Sequence, residues 1–365
     1  MPFDLKKALR PHIAAIKPYS SARDEYSGSE GVFLDANENS MGTPGMAMPS
    51  MAISATHFHR YPDPYQQKLK QRIAEIKGIP AKNIFLGNGS DEAIDLLMRA
   101  FCRPGIDNIV ILPPTYGMYE VSAAINDVAV KKALLTDSFL INPKTLDAAI
   151  NEYSKILFFC SPNNPSGNLM QADVIEEYLH KFDGLVVVDE AYIDFTDTES
   201  WTSRLSEFPN LLVMQTMSKA WGMAALRLGM AYASEEIMAV LNKIKPPYNI
   251  SALTQQESFK ILEHTEAQQQ MVQQLLRERE NLQQALEKLP MVQLVYPSDA
   301  NFLLVKMQDA AAIFHYLIDE KVIVRDRSKV VLCDSSLRIT VGTAEENERL
   351  LSELKNFNKS QRVMG

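Results

Sequence analysis

The sequence predicts an α/β protein: a large domain with a mostly parallel, mixed sheet flanked by helices, followed by a smaller α+β domain. Three observations predict it. First, short apolar runs (Ile84-Phe-Leu86, Ile109-Val-Ile-Leu112, Ile156-Leu-Phe-Phe159, Leu185-Val-Val-Val188, Leu211-Leu-Val-Met214) alternate with helical patterns such as Ser90 to Phe101. Strands buried on both faces read as continuous apolar runs, whereas strands with one wet face alternate. Second, the texture changes after Lys245-Pro246-Pro247. A Gln- and Glu-rich helical stretch, roughly Ser251 to Leu289, is followed by Val292-Gln-Leu-Val295, Phe302-Leu-Leu-Val305, a helix from about Ala310, Val322-Ile-Val324 and Leu337-Arg-Ile-Thr-Val341. Third, 365 residues with 46% hydrophobic content are enough to bury two cores. The expected division is an irregular arm over residues 1–35 that packs with the small domain or a partner subunit, a large domain over 36–247 and a small domain over 248–365.

Composition excludes several classes. A net charge of −8 without a long basic run argues against nucleic-acid binding. The first residues contain no apolar signal segment, and no stretch approaches the roughly 20 apolar residues of a membrane span. Cys102, Cys160 and Cys333 are far apart in apolar surroundings and read as buried free thiols of a reducing compartment. A cytoplasmic protein is expected. His57-Phe-His59 lacks a carboxylate or cysteine at ligand spacing, so no metal is expected.

The residues that carry chemistry stand at strand ends and turns. Lys219 lies in Thr216-Met-Ser218-Lys219, with Arg227 eight residues later. Asp189 closes the apolar run before Glu190-Ala-Tyr192, and Asn164 sits in Ser161-Pro-Asn-Asn164-Pro. In an open α/β sheet, ligands bind beyond the carboxyl ends of the strands. An amine, a carboxylate, a phenol, an amide and a guanidinium in this order are the set that holds pyridoxal phosphate as a lysine Schiff base. Desolvation would favour the neutral amine of Lys219 that such chemistry requires. Asp189 would keep the pyridine nitrogen protonated, since an ion pair near 4 Å contributes roughly 4 kcal/mol at an effective dielectric of about 20. Tyr192 and Asn164 would meet the ring oxygen.

Gly87-Asn-Gly89-Ser90-Asp91-Glu92 follows a strand and opens a helix, so its backbone can approach an anion. We assign the cofactor phosphate here, with Thr216, Ser218 and Arg227. Glu92 stands where a dinucleotide fingerprint has a small residue. No Gly-Lys pair supports a nucleotide-triphosphate loop. Tyr116 would stack on the pyridine ring, with core packing as the alternative. Arg338 and Arg325, in apolar small-domain segments, suit a bidentate carboxylate or phosphate.

With these residues in view, the chain resembles the fold-type I pyridoxal-phosphate enzymes, and most closely the histidinol-phosphate aminotransferases. The likeness covers nearly the whole chain, through Leu34-Asp-Ala-Asn37-Glu38-Asn39, Arg60-Tyr61-Pro62-Asp63, Asp189-Glu-Ala-Tyr192, Ala225-Leu-Arg227-Leu-Gly229 and Leu337-Arg-Ile-Thr-Val-Gly342. It departs at Asn39-Ser-Met-Gly-Thr-Pro44, where the family often has Asn-Pro-Tyr-Gly-Pro, and at Pro165-Ser166-Gly167, where it often has Pro-Thr-Gly. The resemblance implies a homodimer in which Tyr61 reaches the neighbouring subunit's cofactor phosphate. It places Tyr19, Asn37, Arg325 and Arg338 at the substrate. It implies transamination between L-histidinol phosphate and 2-oxoglutarate, giving imidazole acetol phosphate and glutamate, a step of histidine biosynthesis. An aromatic amino acid aminotransferase or a threonine-phosphate decarboxylase of the same fold remains open. Lys219, Asp189 and Tyr192 together argue against a non-catalytic binding protein.

Overall fold

The computed structural model describes residues 30–43 and 59–364, with side chains described as far as residue 358. The chain enters the described region at β1 (Val32–Phe33) and then builds a seven-stranded sheet. Its spatial order is β2 (Ile84–Asn88), β8 (Leu228–Tyr232), β7 (Leu211–Thr216), β6 (Leu185–Asp189), β5 (Ser154–Cys160), β3 (Asn108–Ile111) and β4 (Ala129–Lys132). Every pairing is parallel except the two made by β8. The carboxyl ends of β2, β3, β5, β6 and β7 therefore share one edge.

The apolar runs form these strands because both faces are covered. In β6, Val186 and Val188 face one core while Leu185 and Val187 face the other. That is the two-residue period of a pleated strand. Helices α1 (Gln67–Lys77), α4 (Pro143–Ala149) and α5 (Ala172–Lys181) cover the first face. Helices α2 (Ser90–Phe101), α3 (Met118–Ile125) and α6 (Glu235–Ile244) cover the second. Each fully buried Val or Leu contributes about 1.5–3 kcal/mol, so the strand ends that carry polar side chains are rigidly placed.

A second, antiparallel sheet follows in the order β12 (Arg325–Asp326), β13 (Ser336–Thr340), β10 (Phe302–Met307), β9 (Val292–Val295). Its core takes Leu282 and Leu286 of α8 (Thr265–Leu286), Ile313 and Leu317 of α9 (Ala310–Asp319), and Leu350 and Leu354 of α10 (Ala344–Met364). Leu34 joins it, and β1 pairs in parallel with β11 (Val322–Ile323).

The helical stretch expected from Ser251 to Leu289 is two helices, α7 (Ala252–Ile261) and α8. Ile261 and Leu262 are drawn into the core of the large sheet, whereas Val272 and Leu275 pack with Tyr192 and Phe302. One straight helix cannot bury both sets. The small cluster of Tyr192, Phe195, Val272, Leu275, Phe302 and Val341 joins the two sheets beside the shared strand edge. Among the described residues, no helix is long and apolar enough to cross a membrane.

Candidate active site

A cavity of about 310 Å³ opens at that edge. The strand-to-helix connections of the large sheet supply its floor. Ser90 and Asp91 start α2 just after β2, and Tyr116 follows β3. Cys160 and Asn164 come from the end of β5 and beyond, and Asp189 and Tyr192 from the end of β6 and beyond. Thr216, Ser218 and Lys219 follow β7. Asn37, Glu38, Arg325, Arg327 and Arg338 form the opposite wall. Arg325 and Arg338 face each other across the β12–β13 ladder. Like charges directly opposite are unfavourable by themselves, so this wall suits an anion.

Specific bonds fix the geometry. Lys219 Nζ donates to the Ala36 carbonyl at 2.9 Å and lies 5.9 Å from the Tyr192 ring centre. Tyr119 Oη donates to Asp189 Oδ2 at 2.6 Å, and the Ala191 N–H donates to Oδ1 at 3.2 Å. Arg338 Nη1 donates to Asn164 Oδ1 at 2.7 Å, which leaves the Asn164 amide nitrogen as the donor. Asn37 Nδ2 donates to the Tyr192 hydroxyl at 3.1 Å, and Tyr116 donates to Asp91 Oδ1 at 3.0 Å. Arg227 holds a left-handed backbone with φ 53°, and its Nη2 lies 3.7 Å from Asp91 Oδ2. Glycines make room for that guanidinium and for the helix start. A Cβ on Gly89 would lie 2.6 Å from Arg227 Nη2, and one on Gly229 would lie 2.2 Å from the Ser90 nitrogen.

Burial and charge poise the titratable groups. Burial first, then the Arg338 guanidinium and, to a lesser extent, Arg227, lowers Lys219 to about 8, with Glu38 and Asp91 opposing. Burial raises Asp189 to about 6, against the hydrogen bonds from Tyr119 and Ala191. Burial also pushes the Tyr192 phenol up to about 12, opposed by Arg338 and the Asn37 bond. Lys219 thus has a neutral fraction near neutrality, and Asp189 remains mostly an anion.

Most of the residues expected from the sequence meet in this one cavity. Gly89 lies beside it under Arg227. Tyr61 does not line it: its side chain is 80% exposed and stacks on Tyr248 at 4.4 Å between ring centres. Tyr19 lies outside the described residues. Of the Asp189-Glu190 pair only Asp189 faces the cavity. Glu190 is buried on Gln215 Nε2 at 2.9 Å and the Trp201 N–H at 2.8 Å. Sequence reasoning gave no role to Tyr119, Arg327 or Glu38. Tyr119 stands three residues after Tyr116, in the first turn of α3. The Ser166 hydroxyl, at the position where the family often has Thr, accepts from Asn163 Nδ2 at 2.7 Å and donates to Asn168 Oδ1 at 2.6 Å.

The donor set fits pyridoxal phosphate. Lys219 supplies an amine for the aldehyde, Asp189 a buried carboxylate for the ring nitrogen, and Tyr192 and Asn164 polar groups for the ring oxygen. The start of α2, Ser218 and Arg227 offer the phosphate a ready anion site. The family model for aminotransferase class I and II matches residues 29–354, and the chain belongs to that family. It is 53% identical over 357 residues to the histidinol-phosphate aminotransferase of Cytophaga hutchinsonii, covering 98% of this chain and 100% of that protein. It is 49% identical to the enzyme of the same name from Parabacteroides distasonis, covering 97% of this chain and 99% of that one. The fold also matches the solved histidinol-phosphate aminotransferase from Sinorhizobium meliloti in complex with pyridoxal-5'-phosphate. That match has a TM-score of 0.84 at 20% identity, covering 97% and 98% of the two chains.

Proposed function

We propose that this chain is a pyridoxal-phosphate-dependent histidinol-phosphate aminotransferase. It interconverts L-histidinol phosphate and 2-oxoglutarate with imidazole acetol phosphate and glutamate, in histidine biosynthesis. The observation that carries this is the cavity itself: Lys219 and Asp189 on its floor, and Arg325 and Arg338 on the wall opposite. The near full-length likeness to enzymes of that name supports the substrate. When bound, pyridoxal phosphate supplies an electron sink for charge developing at the substrate's α-carbon.

The protein's part is to hold and to move protons. Neutral Lys219 Nζ takes the proton from the substrate's α-carbon as a general base. Asp189 would offer the ring nitrogen an anion in a buried site. Tyr192 and Asn164 would bind the ring oxygen, and Ser90, Asp91, Thr216, Ser218 and Arg227 would hold the phosphate. Tyr116 would stack on the ring. Arg325, Arg338 and Asn37 hold the phosphate of one substrate and the carboxylate of the other.

We also read the chain as a cytoplasmic homodimer divided at the boundaries given above. Three free, buried cysteines fit a reducing compartment. The exposed Tyr61–Tyr248 stack fits a surface that a second copy would cover. An active species that sediments as a single chain would overturn the dimer.

Steady-state kinetics with alternative amino donors test the function. Histidinol phosphate is expected to exceed phenylalanine in kcat/KM by about a hundredfold, the effect of one or two charged hydrogen bonds to its phosphate. Preference for phenylalanine, or release of carbon dioxide from threonine phosphate, would assign the site to another enzyme of this fold.

A further inference from the structure

One buried phenol stands immediately behind the cavity floor and has no role in the reaction as described so far. Tyr119 is fully buried on α3 and does not line the cavity, yet its hydroxyl reaches Asp189 Oδ2 at 2.6 Å. Its ring is locked. It stacks on Phe158 with centres 4.5 Å apart at 20°, and meets Tyr116 edge-on at 5.6 Å. Among the described residues, the second carboxylate oxygen is held only by the Ala191 N–H. We propose that Tyr119 is a positioning residue for transamination, whose hydroxyl aims the Asp189 carboxylate into the cavity and keeps it in the anionic form that a pyridine nitrogen requires.

Both donors to Asp189 are neutral. The groups facing Asp189 from the packed elements are Tyr119 on α3, Cys160 at the end of β5, Asp91 on α2, and Tyr192 beyond β6. None of them is a cation. Burial raises Asp189 to about 6, and the Tyr119 bond is the largest influence opposing that rise. Tyr119 is itself pushed well above the usual phenol range by burial and by the Asp189 charge, so it stays a donor throughout the working pH range. A hydrogen bond to a charged group contributes about 1.5 kcal/mol or more, roughly one pH unit. Without the phenol, Asp189 gains its proton at higher pH and the ring nitrogen loses its partner near neutrality.

This inference rests on the pyridoxal-phosphate reading of the site. Tyr119→Phe removes a single oxygen and keeps the ring on Phe158. The test compares wild type, Tyr119→Phe and Tyr119→His by cofactor retention after dialysis across pH 5.5–8.5, and by kcat/KM for histidinol phosphate over the same range. The expected result for Tyr119→Phe is a retention midpoint and an acid limb displaced upward by about one unit, giving a roughly twofold loss at pH 7 that widens toward tenfold at pH 5.5 and disappears above pH 8. Tyr119→His restores a donor and brings both curves back toward wild type. Superimposable profiles, or a loss that is the same at every pH and is not restored by histidine, overturn the role of Tyr119 alone. A wild-type protein that retains no pyridoxal phosphate overturns the reading of the site, and this inference with it.

Discussion

The floor and the wall of the cavity are built in opposite ways. The floor comes from five strand ends on one sheet edge, and each polar residue stands one to five positions beyond an apolar run that anchors it. The wall is assembled from Asn37 and Glu38 at one end of the described chain and from Arg325, Arg327 and Arg338 near the other. The floor is local structure repeated, whereas the wall depends on contacts across some 300 residues, as in the bond from Arg338 Nη2 to the Asp35 carbonyl. The floor residues suit chemistry shared by many enzymes of this fold, and the wall suits recognition of a particular anion.

Substitutions separate the two. Lys219→Ala removes the proposed base from the floor and is expected to lower kcat about 10³-fold, with substrate affinity nearly unchanged, in single-turnover and equilibrium-binding measurements. Arg338→Met strikes the wall. It removes a fork that also orients Asn164, so KM for histidinol phosphate should rise about a hundredfold with a smaller change in kcat. If instead kcat fell and KM held, the division between floor and wall would be wrong.

A third measurement concerns the floor's electrostatics. In protein stripped of cofactor, labelling of Lys219 by an amine-directed reagent should climb tenfold per pH unit and level off near pH 8. Its lowered pKa of about 8 means that the neutral amine dominates above that pH, whereas an ordinary lysine levels off near 10.5. Arg338 is the largest charge acting on Lys219, so Arg338→Met should move that plateau to higher pH and reveal how far the wall reaches. The smallest expected effect is on stability. Gly229→Ala forces a Cβ onto the Ser90 nitrogen and should cost about 1–3 kcal/mol, read as a lower melting temperature.

The same contrast explains what could be read from the sequence. Asp189, Asn164, Ser90 and Lys219 were legible because the apolar runs before them mark where strands stop. Strand β8 was not read, although all five of its residues are buried. Gly229 and Ala231 dilute its apolar signal, and the glycine is there because the start of α2 passes too close for a side chain. Edge strand β4 has little apolar burial to announce it. The break between α7 and α8 was invisible because the two cores that pull the chain apart exist only after folding. Tyr119 was given no role, because on a helix a buried phenol reads as core until a carboxylate is found beside it. On the wall, Asn37 came from family likeness alone.

Asn37 uses all four of its polar groups. Its backbone N–H and side-chain oxygen bond the Thr340 hydroxyl at 3.0 Å each, its carbonyl accepts from Asn301 at 3.2 Å, and its side-chain amide reaches Tyr192. Two of those bonds go to Thr340 at the end of β13 and one to Asn301 just before β10, whereas the fourth goes to the Tyr192 phenol beyond β6. Any hinge movement that parts the sheets must therefore tug on Tyr192 or sever that last bond. The jaws of this protein cannot gape without the cavity registering it.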